Sequence, residues 1–354
     1  MASDQQDNKP ARTAAIEDFL TRVGWAGADH VPLADDASFR RYERVTHKGA
    51  RAVLMDAPPD KEDIGPFVTI DRLLRGLGLS APEILGEDRA EGFLLLEDFG
   101  DRTMTRLLAD GAEEEALYSL ALDALIHLHK SFTPHDAKAA DLPHYDMALY
   151  LREAALFTDW YWPAIFGAPC SGPVRTAYLG HVANAMEAAH GSFETLVLRD
   201  YHVDNIMALE GKEGVAACGL LDFQDAVIGP AAYDLVSLFE DARRDVSLPM
   251  AQGLMARYFD AFPTLDPGAF AAAYSAMGAQ RALKVIGIFT RLDRRDGKST
   301  YLRHVTRVWR WLEKDLAHPQ LIDLRGWVDT HFPPDQRVQP VAAPGQGAQQ
   351  GAGE

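Results

Sequence analysis

The sequence predicts an α+β protein of two lobes: a small N-terminal antiparallel sheet with one packed helix, then a mainly helical C-terminal lobe. Three observations predict it. Short strand-like runs surround a single helix-periodic segment between residues 31 and 97. Beyond Asp98-Phe99-Gly100-Asp101 the apolar spacing is mostly helical. One strand–loop–strand stretch rich in polar motif residues, Thr195 to Asp222, interrupts those helices.

The elements follow in order. Residues 1–12 are polar and form a disordered tail, although helical spacing begins at Thr13 (Ile16, Phe19, Leu20, Val23) and stops at Gly24. Ser38 to Val45 and Arg51 to Met55 read as strand-like pieces, and Phe67 to Leu77 reads as a helix closed by glycines. Glu83 to Gly86 and Gly92 to Glu97 complete the first lobe, residues 13–97. Residues 98–101 break the pattern as a hinge, and residues 102–332 form the second lobe. Its helices are predicted over Thr103 to Ala109, Glu113 to Lys130, Tyr145 to Trp162, Arg175 to His190, Tyr233 to Leu238, Pro249 to Phe259, Gly268 to Phe289 and Tyr301 to Leu316. Pro163 to Pro173 is expected as a loop. Residues 333–354, rich in Pro, Gln, Gly and Ala, are expected to be disordered.

Composition narrows the function. The 354 residues carry 35 basic and 52 acidic side chains, a formal net charge of −17. Such a chain repels phosphate backbones and anionic lipid, so neither nucleic acid nor a membrane surface is an expected partner. Two cysteines, Cys170 and Cys218, are too few for a disulfide framework or a zinc site. The polar N-terminus lacks the apolar core of a signal peptide, and no run approaches eighteen apolar residues. A cytoplasmic location is the simplest expectation.

The chemistry concentrates in one segment. The apolar strand Leu196-Val197-Leu198 leads into Arg199-Asp200-Tyr201-His202-Val203-Asp204-Asn205, and a second, Cys218-Gly219-Leu220-Leu221, delivers Asp222. Asp200 and Asn205 stand five apart, the spacing at which a kinase loop places its acceptor-side aspartate and its metal-binding asparagine. Phosphoryl transfer depends on positioning and charge neutralisation. Magnesium needs few protein ligands, one or two carboxylates with phosphate oxygens, and Asn205 and Asp222 can supply hard oxygens. Each residue alone equally suits a turn or a strand-end cap; the ordered set of strand, spaced loop, strand and second aspartate is specific.

The segment resembles the aminoglycoside phosphotransferase and choline kinase superfamily, whose catalytic loop reads H-x-D-x-x-x-x-N. Leu198 replaces the first histidine, and His202 matches one that the family often carries after the aspartate. The resemblance implies a two-lobed protein-kinase-like fold and ATP as co-substrate with Mg2+. It makes Asp200 the catalytic residue, Asn205 and Asp222 the metal ligands, and His202, Asp225 and Asp234 structural support. In the N-lobe, Asp36-Ala37-Ser38-Phe39-Arg40-Arg41 takes the place of the nucleotide-binding loop without its glycines, so Ser38, Arg40 and Arg41 are candidate phosphate contacts. The following strand has Met55 or Asp56 where the family carries its phosphate-binding lysine, and Phe67 stands near the place of that lysine's glutamate partner. Losing both members together avoids an unpaired buried charge. Glu97, Asp98 and Phe99 resemble the hinge that binds the adenine edge.

Val53-Leu54-Met55-Asp56-Ala57-Pro58-Pro59, Leu156-Phe157-Thr158-Asp159-Trp160-Tyr161, Leu221-Asp222-Phe223-Gln224-Asp225-Ala226, Leu283-Lys284-Val285-Ile286-Gly287-Ile288-Phe289 and Arg291-Leu292-Asp293-Arg294-Arg295-Asp296-Gly297-Lys298 narrow the resemblance. They look like the bacterial anomeric kinases of N-acetylmuramate and N-acetylglucosamine. That subgroup phosphorylates the sugar C1 hydroxyl in peptidoglycan recycling. The implied partners are a small sugar and ATP. Asp159 and Trp160 offer a polar group and an aromatic face for the sugar, though aromatics at this spacing more often form a core. Arg291, Arg294, Arg295 and Lys298 offer cations for a lactyl carboxylate, or simply a solvated helix end favoured by the dipole. Two other readings stand beside this one. A different small alcohol or an aminoglycoside could be the acceptor, although a cationic antibiotic would want an acidic pocket. A catalytically impaired nucleotide-binding protein would fit the missing lysine.

Overall fold

A computed structural model of the chain describes residues 9–33, 39–187, 189 and 192–343. In chain order the first elements are α1 (Lys9–Arg22), β1 (Asp29–Pro32), β2 (Arg41–His47), β3 (Ala50–Asp56), α2 (Gly65–Gly76), β4 (Ile84–Asp88) and β5 (Phe93–Glu97). Then come α3 (Met104–Ala109), α4 (Glu114–Ser131), α5 (Pro134–Ala139), α6 (Met147–Leu156), a π-helical turn (Phe157–Tyr161), α7 (Trp162–Phe166) and α8 (Gly172–Glu187). The strands β6 (Glu194–Val197), β7 (Ile206–Ala208), β8 (Cys218–Leu220) and β9 (Val227–Pro230) precede α9 (Ala232–Phe239), α10 (Leu248–Ala261), α11 (Pro267–Asp296), α12 (Val305–Asp315) and α13 (Ile322–His331). The chain divides into two compact units, Met1–Leu128 with Asp204–Asp225, and His129–Val203 with Ala226–Glu354.

The first unit is built on a five-stranded antiparallel sheet in the order β1-β2-β3-β5-β4. Alternation decides its two faces. Leu54 of β3 and Phe93 and Leu95 of β5 are buried with Phe19 and Leu20 of α1. Met55, Leu94 and Leu96, one residue out of phase, are buried as well. Each fully buried Phe or Leu contributes about 2 kcal/mol against the exposed state. α2 starts where Asp63 accepts the Gly65 N–H at 2.8 Å, with Pro66 in its first turn. Gly92 turns the β4–β5 hairpin at φ +73°, and a Cβ there would run into the carbonyl oxygen of Ala57. The short ladder β7–β8 completes this unit, pairing Ile206 with Leu220.

The second unit is organised around α11. Its 30 residues begin at the Asp266 cap, which accepts the Ala269 N–H at 2.6 Å, and end at Gly297 in the left-handed region. The helix packs on α6, the π turn, α9 and α12. Gly287 makes the tightest of these approaches possible: a Cβ would stand 2.6 Å from both the Cβ and the carbonyl oxygen of Leu156. An aromatic cluster, Phe157, Tyr161, Trp309 and Phe332, fills the space beside it. The ladder β6–β9 pairs Val197 with Val227.

Several elements depart from the expectations. α1 begins at Lys9 rather than Thr13, so part of the expected tail is helical. The predicted helix from Tyr145 to Trp162 is three pieces, because the ladder widens into a π turn at Phe157–Tyr161. Part of the expected loop at 163–173 is α7, whose Pro163 sits in the first turn where its missing N–H costs no bond. α11 extends seven residues beyond Phe289, and the sequence pattern does not mark β1, β7, β9, α5 or α13. Residues 333–343, expected to be disordered, are tied down: Tyr161 donates its hydroxyl to the Gln336 and Val338 carbonyls at 3.1 and 2.8 Å, and the Ala343 N–H donates to Asp293 at 3.0 Å. Residues 344–354 and 1–8 lie outside the described residues.

Gly287→Ala should destabilise the protein by about 1–3 kcal/mol through overpacking against Leu156. Chemical denaturation measures this, and an unchanged midpoint would show that α6 moves aside freely.

Candidate active site

In the first unit, β7 and β8 bring Asn205 and Asp222 together. The Leu221 N–H donates to the Asn205 backbone carbonyl at 3.0 Å, which ties the two strand ends. The Asn205 side-chain amide donates to Asp222 Oδ2 at 3.3 Å. Gln224, which the sequence did not single out, donates to Asp222 Oδ1 at 2.8 Å. Asp222 holds φ at +57°, a left-handed conformation that costs about 1 kcal/mol outside glycine. Behind it, Phe223 is buried against Phe67 of α2, with ring centroids 4.9 Å apart.

Those donors fit a hard cation. Asp222 supplies carboxylate oxygens, and a 180° turn of the Asn205 amide exchanges its nitrogen for an oxygen at the same place. Among the described residues no cluster of three or more His, Cys, Asp or Glu could hold a metal by itself. Two oxygen ligands with phosphate oxygens completing the shell are the pattern of magnesium rather than of zinc or calcium.

The phosphate-side candidates separate. Ser38 lies outside the described residues. Arg40 has a side chain only 10% exposed and places Nη2 3.8 Å from Asp222 Oδ1. Arg41 is exposed and opens β2, paired in register with Asp56. Where a lysine was missed, Met55 is buried and Asp56 accepts Arg12 Nε and Nη2 at 3.0 and 2.6 Å. The guanidinium of Arg12 also lies 4.0 Å from the Phe93 ring centroid. The strand end is therefore closed by a pair of its own.

At the expected hinge, Glu97 ends β5 and its carboxylate lies 3.7 Å from Lys212 Nζ. Asp98 is nearly buried, with Arg44 Nε 2.8 Å from its Oδ2. Arg44 also donates to the Gly100 carbonyl at 3.3 Å and to Asp101 at 3.2 Å. The hydrogen bond from Arg44, against a smaller opposing burial effect, holds the Asp101 carboxyl below its ordinary value. Phe99 lies against Gly219, where a Cβ would meet its ring at 3.0 Å, and Lys212 Nζ sits 5.4 Å from that ring. Arg44 and Lys212 escaped the sequence reading because their partners lie far along the chain.

In the second unit, β6 delivers the turn that carries Asp200. Asp234, fully buried near the start of α9, accepts the backbone N–H groups of Leu198 and Arg199 at 2.7 and 2.9 Å. Burial pushes its carboxyl up to about 7 against these two donors, which favour the ionised form. Arg199 is left-handed at φ +70°. The Asp200 N–H donates to the Leu198 carbonyl at 2.9 Å, and the His202 N–H to the Asp200 carbonyl at 3.1 Å. Burial lowers the pKa of His202. Asp225 is exposed, and belongs to the first unit.

The acceptor-side candidates are mostly occupied. Asp159 forms a two-pronged pair with Arg175 at 2.9 and 3.2 Å, and Trp160 is half-buried in the π turn. Arg294 pairs with Asp293 at 2.5 Å and donates to the Val341 carbonyl at 2.8 Å. Arg295 pairs with Asp296 at 2.7 Å. Lys298 follows the helix cap at Gly297. Arg291 is half-buried, and its Nε has no hydrogen-bond partner among the described residues.

Residues 29–271 match the model of the phosphotransferase enzyme family. The chain belongs to that family. It is an enzyme of the kinase type, for which ATP is the co-substrate. Over 92% of this chain and 98% of the relative, it is 34% identical to an N-acetylmuramate/N-acetylglucosamine kinase of Caulobacter vibrioides. Over 88% of this chain and 92% of the relative, it is 38% identical to a protein of the same name from Pseudomonas aeruginosa. Among solved structures, a choline kinase of Streptococcus pneumoniae is 10% identical with a TM-score of 0.60, covering 86% of this chain and 99% of its own. A choline/ethanolamine kinase family protein of Mesorhizobium loti is 13% identical with a TM-score of 0.59, covering 90% and 99%. These likenesses show the protein-kinase-like α+β fold that the sequence predicted.

Asp222→Ala should abolish the magnesium dependence of nucleotide binding while leaving the melting transition nearly unchanged. Titration calorimetry with and without Mg2+ reads this, and an unaltered magnesium effect would remove Asp222 from the metal site.

Proposed function

We propose that the protein transfers the γ-phosphoryl group of ATP to the anomeric C1 hydroxyl of N-acetylmuramate and N-acetylglucosamine, in the recycling of peptidoglycan. The observation that carries the reading is identity of 34% and 38%, over 92% and 88% of the chain, to two relatives bearing that name. The order Asp200, Asn205, Asp222 supports the same chemistry. Residues 13–97 and 102–332 would act as nucleotide and acceptor lobes, with 98–101 as the hinge and the backbone of Glu97 to Phe99 on the adenine edge. Among the described residues no helix is long and apolar enough to cross a membrane, and a cytoplasmic site of action suits ATP use.

The roles follow from chemistry. Asp200 orients the C1 hydroxyl and takes its proton as the O1–P bond forms and the bond to ADP breaks. Asn205 and Asp222 hold magnesium, which neutralises charge on the phosphates. Arg40, beside Asp222, takes the phosphate-binding role left open by the missing lysine; its guanidinium matches phosphate geometry well. His202, Asp225 and Asp234 serve as support, with Asp234 fixing the loop backbone.

Arg291 is the cation we assign to the lactyl carboxylate. It lies seven residues beyond Lys284 on α11, hence on the same face and about 10 Å along the axis. Arg294 and Arg295 are already paired, which turns the basic cluster mostly into a helix-end charge arrangement.

ADP release should be measured with ATP, magnesium and four acceptors: N-acetylmuramate, N-acetylglucosamine, its 1-O-methyl glycoside and one aminoglycoside. Turnover is expected with the free sugars and not with the methyl glycoside, and Asp200→Asn should lose nearly all of it. Turnover of the methyl glycoside would move the reaction to another hydroxyl. Arg291→Ala should raise KM for N-acetylmuramate about tenfold, the size of one charge-assisted hydrogen bond, and leave N-acetylglucosamine unaffected. Equal effects on both sugars would withdraw Arg291 from carboxylate binding.

A further inference from the structure

The second unit buries a cluster of charge that the reaction as described does not use. Glu153, on α6, is 7% exposed. Its carboxylate pairs with the Arg199 guanidinium and stands 3.1 Å from Lys284 Nζ. It also accepts the Tyr145 hydroxyl and, at 3.1 Å, the Gln280 amide. Lys284, 7% exposed on α11, donates in addition to the Tyr233 hydroxyl at 3.4 Å. The Arg199 guanidinium lies 5.5 Å from the Tyr145 ring centroid. Two helices and the Asp200 turn thus meet at one carboxylate.

Stability alone does not account for this arrangement. Desolvating each ion costs several kcal/mol, and well-packed apolar side chains commonly serve a core as well or better. The location is more informative. Arg199 immediately precedes Asp200 and is held twice, by Asp234 through its backbone and by Glu153 through its side chain. Its φ of +70° is a conformation that a long side chain adopts only when its surroundings enforce it.

We propose that Glu153 and Lys284 are positioning residues for Asp200: Glu153 clamps the Arg199 guanidinium and the Lys284 ammonium together, and through Arg199 fixes the turn that presents the Asp200 carboxylate. The proposal rests on the phosphotransfer reading given above. The local field agrees with it. Burial opposes the charged form of Asp200, but Lys284, followed by His202, Arg281 and Arg199, outweighs it and holds the carboxyl below its ordinary value. Glu153, Arg199, Lys284 and Asp200 carry two charges of each sign, so removing one member leaves an uncompensated ion beside the turn.

The test compares Lys284→Met, Lys284→Arg, Glu153→Gln and the pair Glu153→Gln with Lys284→Met, using whichever acceptor the wild-type chain phosphorylates. Rates are expressed per chain that binds ATP with wild-type affinity in calorimetry, so that misfolded protein does not count. Lys284→Met and Glu153→Gln should each lower kcat about 10- to 100-fold, the effect of a misplacement near 1 Å, with KM for ATP within about threefold of wild type. Lys284→Arg should recover most of that loss, and the double variant should be no slower than the slower single one. Tyr233→Phe, which deletes only one hydroxyl next to Lys284, gives a milder arm should the others fold poorly; its kcat should fall several-fold at unchanged KM for ATP. Normal kcat per ATP-binding chain in Lys284→Met or, if that variant does not fold, in Tyr233→Phe overturns the clamp. A wild-type chain that phosphorylates no acceptor overturns the phosphotransfer reading and the clamp with it, whereas a change of acceptor leaves the clamp to be judged on the new one.

Discussion

The Asp234 carboxylate, buried near the start of α9, takes the N–H groups of Leu198 and Arg199 just where β6 stops being a strand. A strand that ends in a buried setting leaves donors that must be satisfied, and each one left without a partner costs roughly 1–3 kcal/mol. Asp234 satisfies two of them with two oxygens. In doing so it directs the chain into the left-handed turn at Arg199 rather than into further pairing with β9. Everything that follows in the sequence, Asp200, the His202 bend and the run into Asn205, is set off from that turn.

Asp222, also left-handed, is arranged by the same logic in the other unit. The ladder β7–β8 ends at Leu220, and the Leu221 N–H goes to the Asn205 carbonyl rather than to a continuing strand. Asp222 then turns toward the amides of Asn205 and Gln224. Asp200 and Asp222 therefore both follow the end of a short strand, on or beside strained backbone that is stabilised by hydrogen bonds from neighbouring segments. Strain of this kind persists only where the surroundings over-determine it.

Charge is distributed with similar economy. The chain carries a net −17, yet its phosphate chemistry needs cations. Several of its cations are held by carboxylates: Arg12 by Asp56 and Glu91, Arg44 by Asp98 and Asp101, Arg199 and Lys284 by Glu153. Arg40 stands beside Asp222 at a looser 3.8 Å.

Much of this protein was legible in the sequence, because period and spacing are local properties. Short apolar runs marked β3 and β5, the 3.6-residue period marked α2, α9 and α11, and the five-residue interval from Asp200 to Asn205 with the later Asp222 marked the chemistry. Order along the chain, together with family resemblance, was enough to identify a phosphotransferase. The tertiary structure decided what spacing cannot encode. Arg44 and Asp98 are 54 residues apart and Arg199 and Glu153 are 46 apart, so nothing local pairs them. The placement of Arg40 beside Asp222, the pairing that occupies Arg294 and Arg295, and the docking of residues 333–343 are likewise set by which segments meet. A side chain's chemical type is written in the sequence, but whether it is spent on a neighbour or left for a substrate depends on contacts that only the folded chain creates.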